Sequence, residues 1–167
     1  IMTNNESFFE YLKLARNHGH INRDDIEFWS YNSRLDSLQA IITLSQFDWF
    51  KKELEIRRKQ YQIYRESLGD NFFPRLEQGA CHSFNWLVLL IRNRTNIQEK
   101  LNALDIETKI HYPKLIYEMK PYKSQNINLK NFDNAERYSK QILSVPIGSH
   151  LSDDTILFIC EKIKNSD

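Results

Sequence analysis

Apolar residues fall three or four apart along much of this chain, and alternate or run together only over short stretches. Phe8, Tyr11, Leu12 and Ala15 share one face of a helix predicted over Phe8–His18, with Gly19 as its stop. From Gly19 to Gly69 there is no other Gly and no Pro. In that window Leu35, Leu38, Ile42, Phe47, Trp49, Phe50, Leu54, Tyr61, Tyr64 and Leu68 recur at helical spacing. The spacing predicts one long helix from about 34 to 67, bent near its middle. Ser33 and Asp36 have the serine-x-x-acid spacing of a capping box, so the helix is expected to start at Ser33 or Arg34. The charge cluster Lys51–Lys59 reads as its solvated face.

Two further helices are predicted over Ile97–Leu104 and Ala135–Leu143, and a last one over about Asp153–Lys164. Ser152 ahead of Asp153 and Asp154 is a good cap with acids in the first turn. Phe84–Ile91 is almost continuously apolar, as expected of a strand covered on both faces. Ile106, Thr108 and Ile110 alternate with Glu107, Lys109 and His111, as a half-exposed strand would. Phe72–Phe73 before Pro74 is a weaker third candidate, and Ser124–Lys130 is the most linker-like loop. The fold class expected is α+β, a small mixed or antiparallel sheet flanked by helices, one of them long.

Composition narrows the function. A chain of 167 residues is one domain by default and long enough to bury a core. Hydrophobic content of 41% with 27% charge argues against disorder. A net charge of +1 gives no electrostatic case for nucleic acid or an anionic membrane. No apolar run approaches the roughly 20 residues that span a bilayer. Cys81 and Cys160 have neither metal nor redox spacing and read as reduced cytosolic thiols, with a disulfide between them left open. No pair among the five histidines has zinc-ligand spacing, so no metal is expected.

Candidate chemistry gathers at Trp29–Ala40, an aromatic-rich loop running into the long helix. With the helix starting at Ser33 or Arg34, Asn32 stands just before an N-terminus, where free N–H groups and the helix dipole favour an anion. An amide and a guanidinium flanking that point, Asn32 and Arg34, are suitable donors to a phosphate or carboxylate. The alternative is a plain turn, with Arg34 paired to Asp36. His111 ends a strand before Tyr112–Pro113, where proline forces a turn, and on the residues alone a structural role is favoured. His18, beside Gly19, reads as a structural helix-end residue.

Four segments carry a resemblance. Tyr31-Asn32-Ser33-Arg34-Leu35-Asp36-x-Leu38-Gln39-Ala40 resembles the Y-N-x-R-x-D-x-x-Q-A signature of the pyridoxal-phosphate-dependent sugar aminotransferases of the DegT/StrS family. Leu14–Gly19 resembles the family's L-x-R-N-H-G, Ile106–Pro113 its G-I-x-x-x-x-H-Y-P, and Leu143–Ile147 with Leu151–Asp154 its L-S-L-P segment. The likeness runs from residue 1 to about 165, and Ile1–Glu6 resembles the end of a large-domain strand. Two positions depart from the pattern: Ser30 stands where the family usually has Gly, and Tyr117 where many members have a second His.

The resemblance implies that the chain is the C-terminal part of a fold type I aminotransferase. Residues 1–33 would end the large cofactor-binding domain, 34–68 form a connecting helix, and 69–167 the small α+β domain. The parent, a cytoplasmic homodimer with a shared active site, would move an amino group from a donor such as glutamate to a keto group of a nucleotide-linked sugar, for surface polysaccharide or glycoconjugate synthesis. Asn32 would reach the cofactor phosphate of the neighbouring subunit. Arg34 would contact substrate or support the loop, and His111 and Tyr112 would face the sugar nucleotide. No lysine here lies in the Schiff-base context, so no catalytic residue is assigned and the chain alone is expected to be inactive. Two alternatives remain: a non-catalytic or regulatory binding module, and a dehydratase of the same fold.

Overall fold

The computed structural model of the chain describes residues 1–123 and 132–165. The predicted loop Ser124–Lys130 lies outside the described residues. Two compact units are formed, residues 1–48 and residues 49–167.

In the first unit, α1 spans Glu6–Ala15, capped by Asn5, whose side chain accepts from the Phe8 N–H at 2.9 Å. It ends three residues earlier than the apolar spacing predicts, because Gly19 N–H turns back to Leu14 C=O at 2.8 Å. Gly19 has φ +75°, and a Cβ there would lie 1.9 Å from the Phe28 carbonyl oxygen, so only glycine fits. The next helix, α2, covers Ser37–Ser45. Its cap is Asp36, not Ser33: the Asp36 carboxylate takes the Leu38 N–H at 2.8 Å. Neither α1 nor α2 buries a residue.

The expected long helix is interrupted at Gln46, and α3 runs from Phe47 to Leu68. Thr43 and Ser45 account for the break. Their hydroxyls bond the Gln39 and Ile42 carbonyls, both at 2.8 Å, a back-bonding that competes with the helix ladder.

The second unit is organised around one antiparallel pair. β1 (Leu87–Leu90) pairs with β2 (Ile142–Val145), with Leu87 opposite Val145 and Leu90 opposite Ile142. The predicted strand Phe84–Ile91 is shortened at its start, where Phe84 adopts φ +47° and its N–H bonds His82 Nδ1 at 2.8 Å. The Ile106–Ile110 strand reduces to a single bridge, Lys109 to Ser144, on the other side of β2. Phe72 lies in a 3-10 turn, Asp70–Phe72, not in a strand.

Between the strands come α4 (Arg94–Asn102), the short α5 (Lys120–Lys123) and α6 (Asp133–Gln141). α6 stops short of the predicted Leu143 because Ile142 and Leu143 face Leu90 and Leu89 across the sheet. α7 (Asp153–Lys164) follows the predicted bounds, capped by Ser152 Oγ on the Thr155 N–H at 3.1 Å. The core joins Tyr64 of α3, Leu89 of β1, Ile97 of α4, Leu143 of β2 and Ile156, Ile159 and Ile163 of α7, all essentially inaccessible. Each such side chain contributes about 1.5–3 kcal/mol of burial.

The charged stretch of α3 is not simply a solvated face. Glu53 is buried and accepts from Arg57 Nε at 2.8 Å and from the Ser149 N–H at 3.3 Å. Arg57 also donates to the Phe84 and Asn85 carbonyls, each at 3.2 Å. Gln60 takes the Gly148 N–H at 2.8 Å and donates to Gly148 and Leu151 C=O at 2.9 and 3.1 Å. Tyr64 O–H donates to Pro146 C=O at 2.9 Å.

Burial pushes the Glu53 carboxyl up, but the Ser149 donors and Arg57 outweigh it and hold its pKa below the usual carboxylate value. A depressed carboxylate adds stability that is present above the unfolded-state pKa and lost as pH falls through the folded one. Glu53→Gln should therefore cost about 1–3 kcal/mol at neutral pH. The gap to wild type should close as pH drops through and below the ordinary glutamate range, near 4.3. Urea unfolding at a series of pH values measures it, and a gap that widens with acid would contradict the assignment.

Candidate functional site

In the first unit the Trp29–Arg34 segment is an extended strap laid against the end of α1. Asn17 and Asn32 form an antiparallel bridge, in which His18 N–H donates to Tyr31 C=O at 3.0 Å and Ser33 N–H to Arg16 C=O at 2.8 Å. Ser30, at the position where the sequence departs from its pattern, adds a bond glycine could not make: Oγ donates to Ala15 C=O at 2.6 Å. Apart from Ser30 the strap is fixed through its backbone, and Trp29, Tyr31, Asn32 and Arg34 are exposed, Trp29 to 95%.

This geometry corrects the anion argument. α2 begins at Ser37, so Asn32 does not stand at a helix N-terminus and gains nothing from its dipole. The Ser33 N–H is already engaged by Arg16, which keeps the chain extended and moves the cap to Asp36. Arg34 does not pair with Asp36. Among the described residues neither the Asn32 amide nor the Arg34 guanidinium has a protein partner, and both are exposed. Two unengaged donors on a braced strap suit a phosphate. Lys13, the one lysine of residues 1–48, pairs with Glu10 at 2.9 Å.

In the second unit His111 follows the Lys109–Ser144 bridge. Its ring lies parallel to the Trp86 indole, with centroids 3.9 Å apart and 5° between planes. Its Nδ1 is 2.9 Å from Ser144 Oγ. Tyr112 packs edge-on at 5.5 Å and is mostly exposed. Trp86, His111 and Ser144 line a cavity of about 390 Å³, together with Lys109 and His150. The sequence reading found His111 and Tyr112 but not Trp86 or Ser144. Only the register that puts Ser144 opposite Val88 and next to Lys109 brings them to the imidazole.

Tyr117 donates its hydroxyl to Glu136 at 2.8 Å, and that bond, with burial and nearby acids, pushes its phenol up to about 12. His82 accepts from Phe84 N–H, and His20 pairs with Ile26 in a bridge. Cys81 and Cys160 are both free thiols. Among the described residues there is no group of three or more His, Cys, Asp or Glu able to hold a metal ion, and no helix is long and apolar enough to cross a membrane.

The chain belongs to the DegT/DnrJ/EryC1/StrS aminotransferase family, whose profile matches residues 1–164. It is 28% identical over 156 residues to the erythromycin biosynthesis sensory transduction protein EryC1 of Saccharopolyspora erythraea, a match covering 91% of this chain and 42% of that protein. It is 27% identical over 165 residues to the dTDP-3-amino-3,6-dideoxy-alpha-D-galactopyranose transaminase of Aneurinibacillus thermoaerophilus, covering 98% of this chain and 45% of that one. Among solved structures, a DegT DnrJ EryC1 StrS aminotransferase from Brucella abortus matches with a TM-score of 0.88 and 26% identity, over 98% of this chain and 44% of its own. The chain thus spans less than half the length of these relatives.

The exposure of Asn32 and Arg34 makes a prediction of its own. Residues held for ligand contact, not for the turn, should be dispensable to folding. Asn32→Ala and Arg34→Ala should each change stability by less than about 0.5 kcal/mol. Thermal melts of the two variants test this, and a clear drop in Tm for either would restore the structural reading.

Proposed function

We propose that these 167 residues work as part of a pyridoxal-phosphate-dependent aminotransferase acting on the keto group of a nucleotide-linked sugar. The observation that carries the reading is the family match along residues 1–164, in which Asn32 and Arg34 stand as unengaged donors. In this reading residues 1–33 belong to a large cofactor-binding domain, 34–68 connect, and 69–167 form the small domain. The intact enzyme is a cytoplasmic homodimer with glutamate or a similar donor, serving polysaccharide or glycoconjugate synthesis. Bound pyridoxal phosphate supplies the electron sink for amino transfer. Asn32 holds the cofactor phosphate across the dimer, Arg34 meets substrate or steadies the strap, and His111 and Tyr112 face the sugar nucleotide.

A further observation supports a larger assembly. α1 and α2 bury nothing, while Phe8, Phe9, Leu38, Ile41 and Leu44 are half to three-quarters exposed. Large apolar side chains left open on both helices suit cover by further polypeptide or a partner subunit. A second reading, a regulatory module, is favoured by the naming of the S. erythraea relative as a sensory transduction protein. The residue at the Schiff-base position of the intact protein separates the two.

The 167 residues alone should neither transaminate nor take up pyridoxal phosphate covalently. Borohydride treatment with the cofactor, followed by peptide mass mapping, should find no specifically modified lysine. A single stoichiometric adduct in this chain would overturn that expectation.

In the intact enzyme, Asn32→Ala should loosen the cofactor. A hydrogen bond to a charged group is worth about 1.5–3 kcal/mol, so the cofactor Kd should rise about tenfold or more. Because the contact crosses the dimer, mixing this variant with a Schiff-base-lysine variant should restore activity in heterodimers. An unchanged Kd would return Asn32 to a turn residue.

A further inference from the structure

We propose that Trp86 and Ser144 are positioning residues for His111, holding its imidazole in the one orientation that a keto-sugar substrate uses. The inference rests on the proposed function, and extends it to Trp86, outside the motifs that carry the family likeness, and to Ser144, which lies within the Leu143–Ile147 segment.

The geometry is specific. An imidazole at a strand end has two torsions to fix, and here each has its own restraint. The Trp86 indole, parallel at 3.9 Å and 5°, fixes the ring plane. The Ser144 hydroxyl, 2.9 Å from Nδ1, fixes rotation within that plane. Ser144 is itself immobile: it is buried in β2, and its backbone bonds Lys109 in both directions, at 2.7 and 3.1 Å. Trp86, 47% exposed, precedes β1 directly.

With Nδ1 held by the hydroxyl, Nε2 is the imidazole nitrogen with no protein partner among the described residues. In the neutral ring Nε2 takes whichever role, donor or acceptor, Nδ1 does not. A pinned ring at a cavity of about 390 Å³, lined also by His150, Asp105 and the Lys109–Glu107 pair (2.8 Å), suits a polyhydroxylated ligand such as the sugar of a sugar nucleotide. Substrate then binds without the entropy loss of ordering the imidazole.

Two measurements test this. In the 167-residue chain, proton NMR should show the His111 ring protons shifted upfield by the indole, with assignment by His111→Gln. Trp86→Ala should abolish that shift and Trp86→Phe should retain part of it. In the intact enzyme, Trp86→Ala should raise KM for the keto-sugar about fivefold, the worth of a lost aromatic pair. Trp86→Phe should restore most of it, and the amino-donor half-reaction should stay unchanged in both. Retention of the upfield shift in Trp86→Ala, or equal KM losses for Phe and Ala, would overturn the inference. A keto-sugar half-reaction unaffected by His111→Ala would overturn it together with the sugar-site role of His111. Failure of the amino-donor half-reaction in wild type would instead overturn the aminotransferase reading itself.

Discussion

The second unit depends on a seam of polar contacts between α3 and the loop at 146–151. Glu53, Gln60 and Tyr64 lie along one side of α3 and bond the backbone of Ser149, Gly148 and Pro146 in turn. That loop leaves β2 and enters α7, so its position sets where both elements lie. Left without these partners, its buried amide and carbonyl groups would each cost about 1–3 kcal/mol. Gly148 is required at the closest approach. It adopts φ +142°, and a Cβ there would come within 3.0 Å of Glu53 Oε1 and of the His150 ring. The seam reaches the candidate site through β2: Ser144, two residues before Pro146, bridges Lys109 and touches the His111 ring.

The first unit is built on another principle. It has no buried core residue in either helix, and its order comes from backbone bonds that strap residues 30–33 to the end of α1. Segments with few buried contacts open at low free energy, which is where ligand-binding loops tend to be drawn from. The strap presents Trp29, Asn32 and Arg34 to solvent, with no protein partner among the described residues for either polar side chain.

Much of this was legible in the sequence where local rules act alone. α7 falls on its predicted residues because Ser152 caps it and apolar spacing continues to Ile163. α4 and α6 were found but displaced at their ends; for α6, strand pairing claims Ile142 and Leu143 from the helix pattern. The cap at Asp36 was missed because Ser33 fits the same rule. What decides between them is a hydrogen bond from Ser33 to Arg16, seventeen positions back. Glu53 read as solvated because polarity along a helix does not reveal that a loop 96 residues on will lie against it. Asn32, Arg34, His111 and Tyr112 were named through the family likeness; the residues alone favoured structural roles. Trp86 and Ser144 needed the sheet register.

Both candidate sites use the same physical device in different materials. A polar end group is left free while everything behind it is restrained: backbone bonds restrain the strap bearing Asn32, and a ring stack with a hydroxyl restrains His111. A donor that is already ordered loses little on binding, so more of its interaction appears as affinity. The restraints also differ in a consequential way. Backbone bonds tolerate substitution of the side chains they carry, whereas the stack on His111 exists only while an aromatic residue occupies position 86. The strap's hold is therefore general to any sequence that can form the bridge. The imidazole's hold depends on the identity of the residue at position 86, which lies outside the motifs that carry the family likeness.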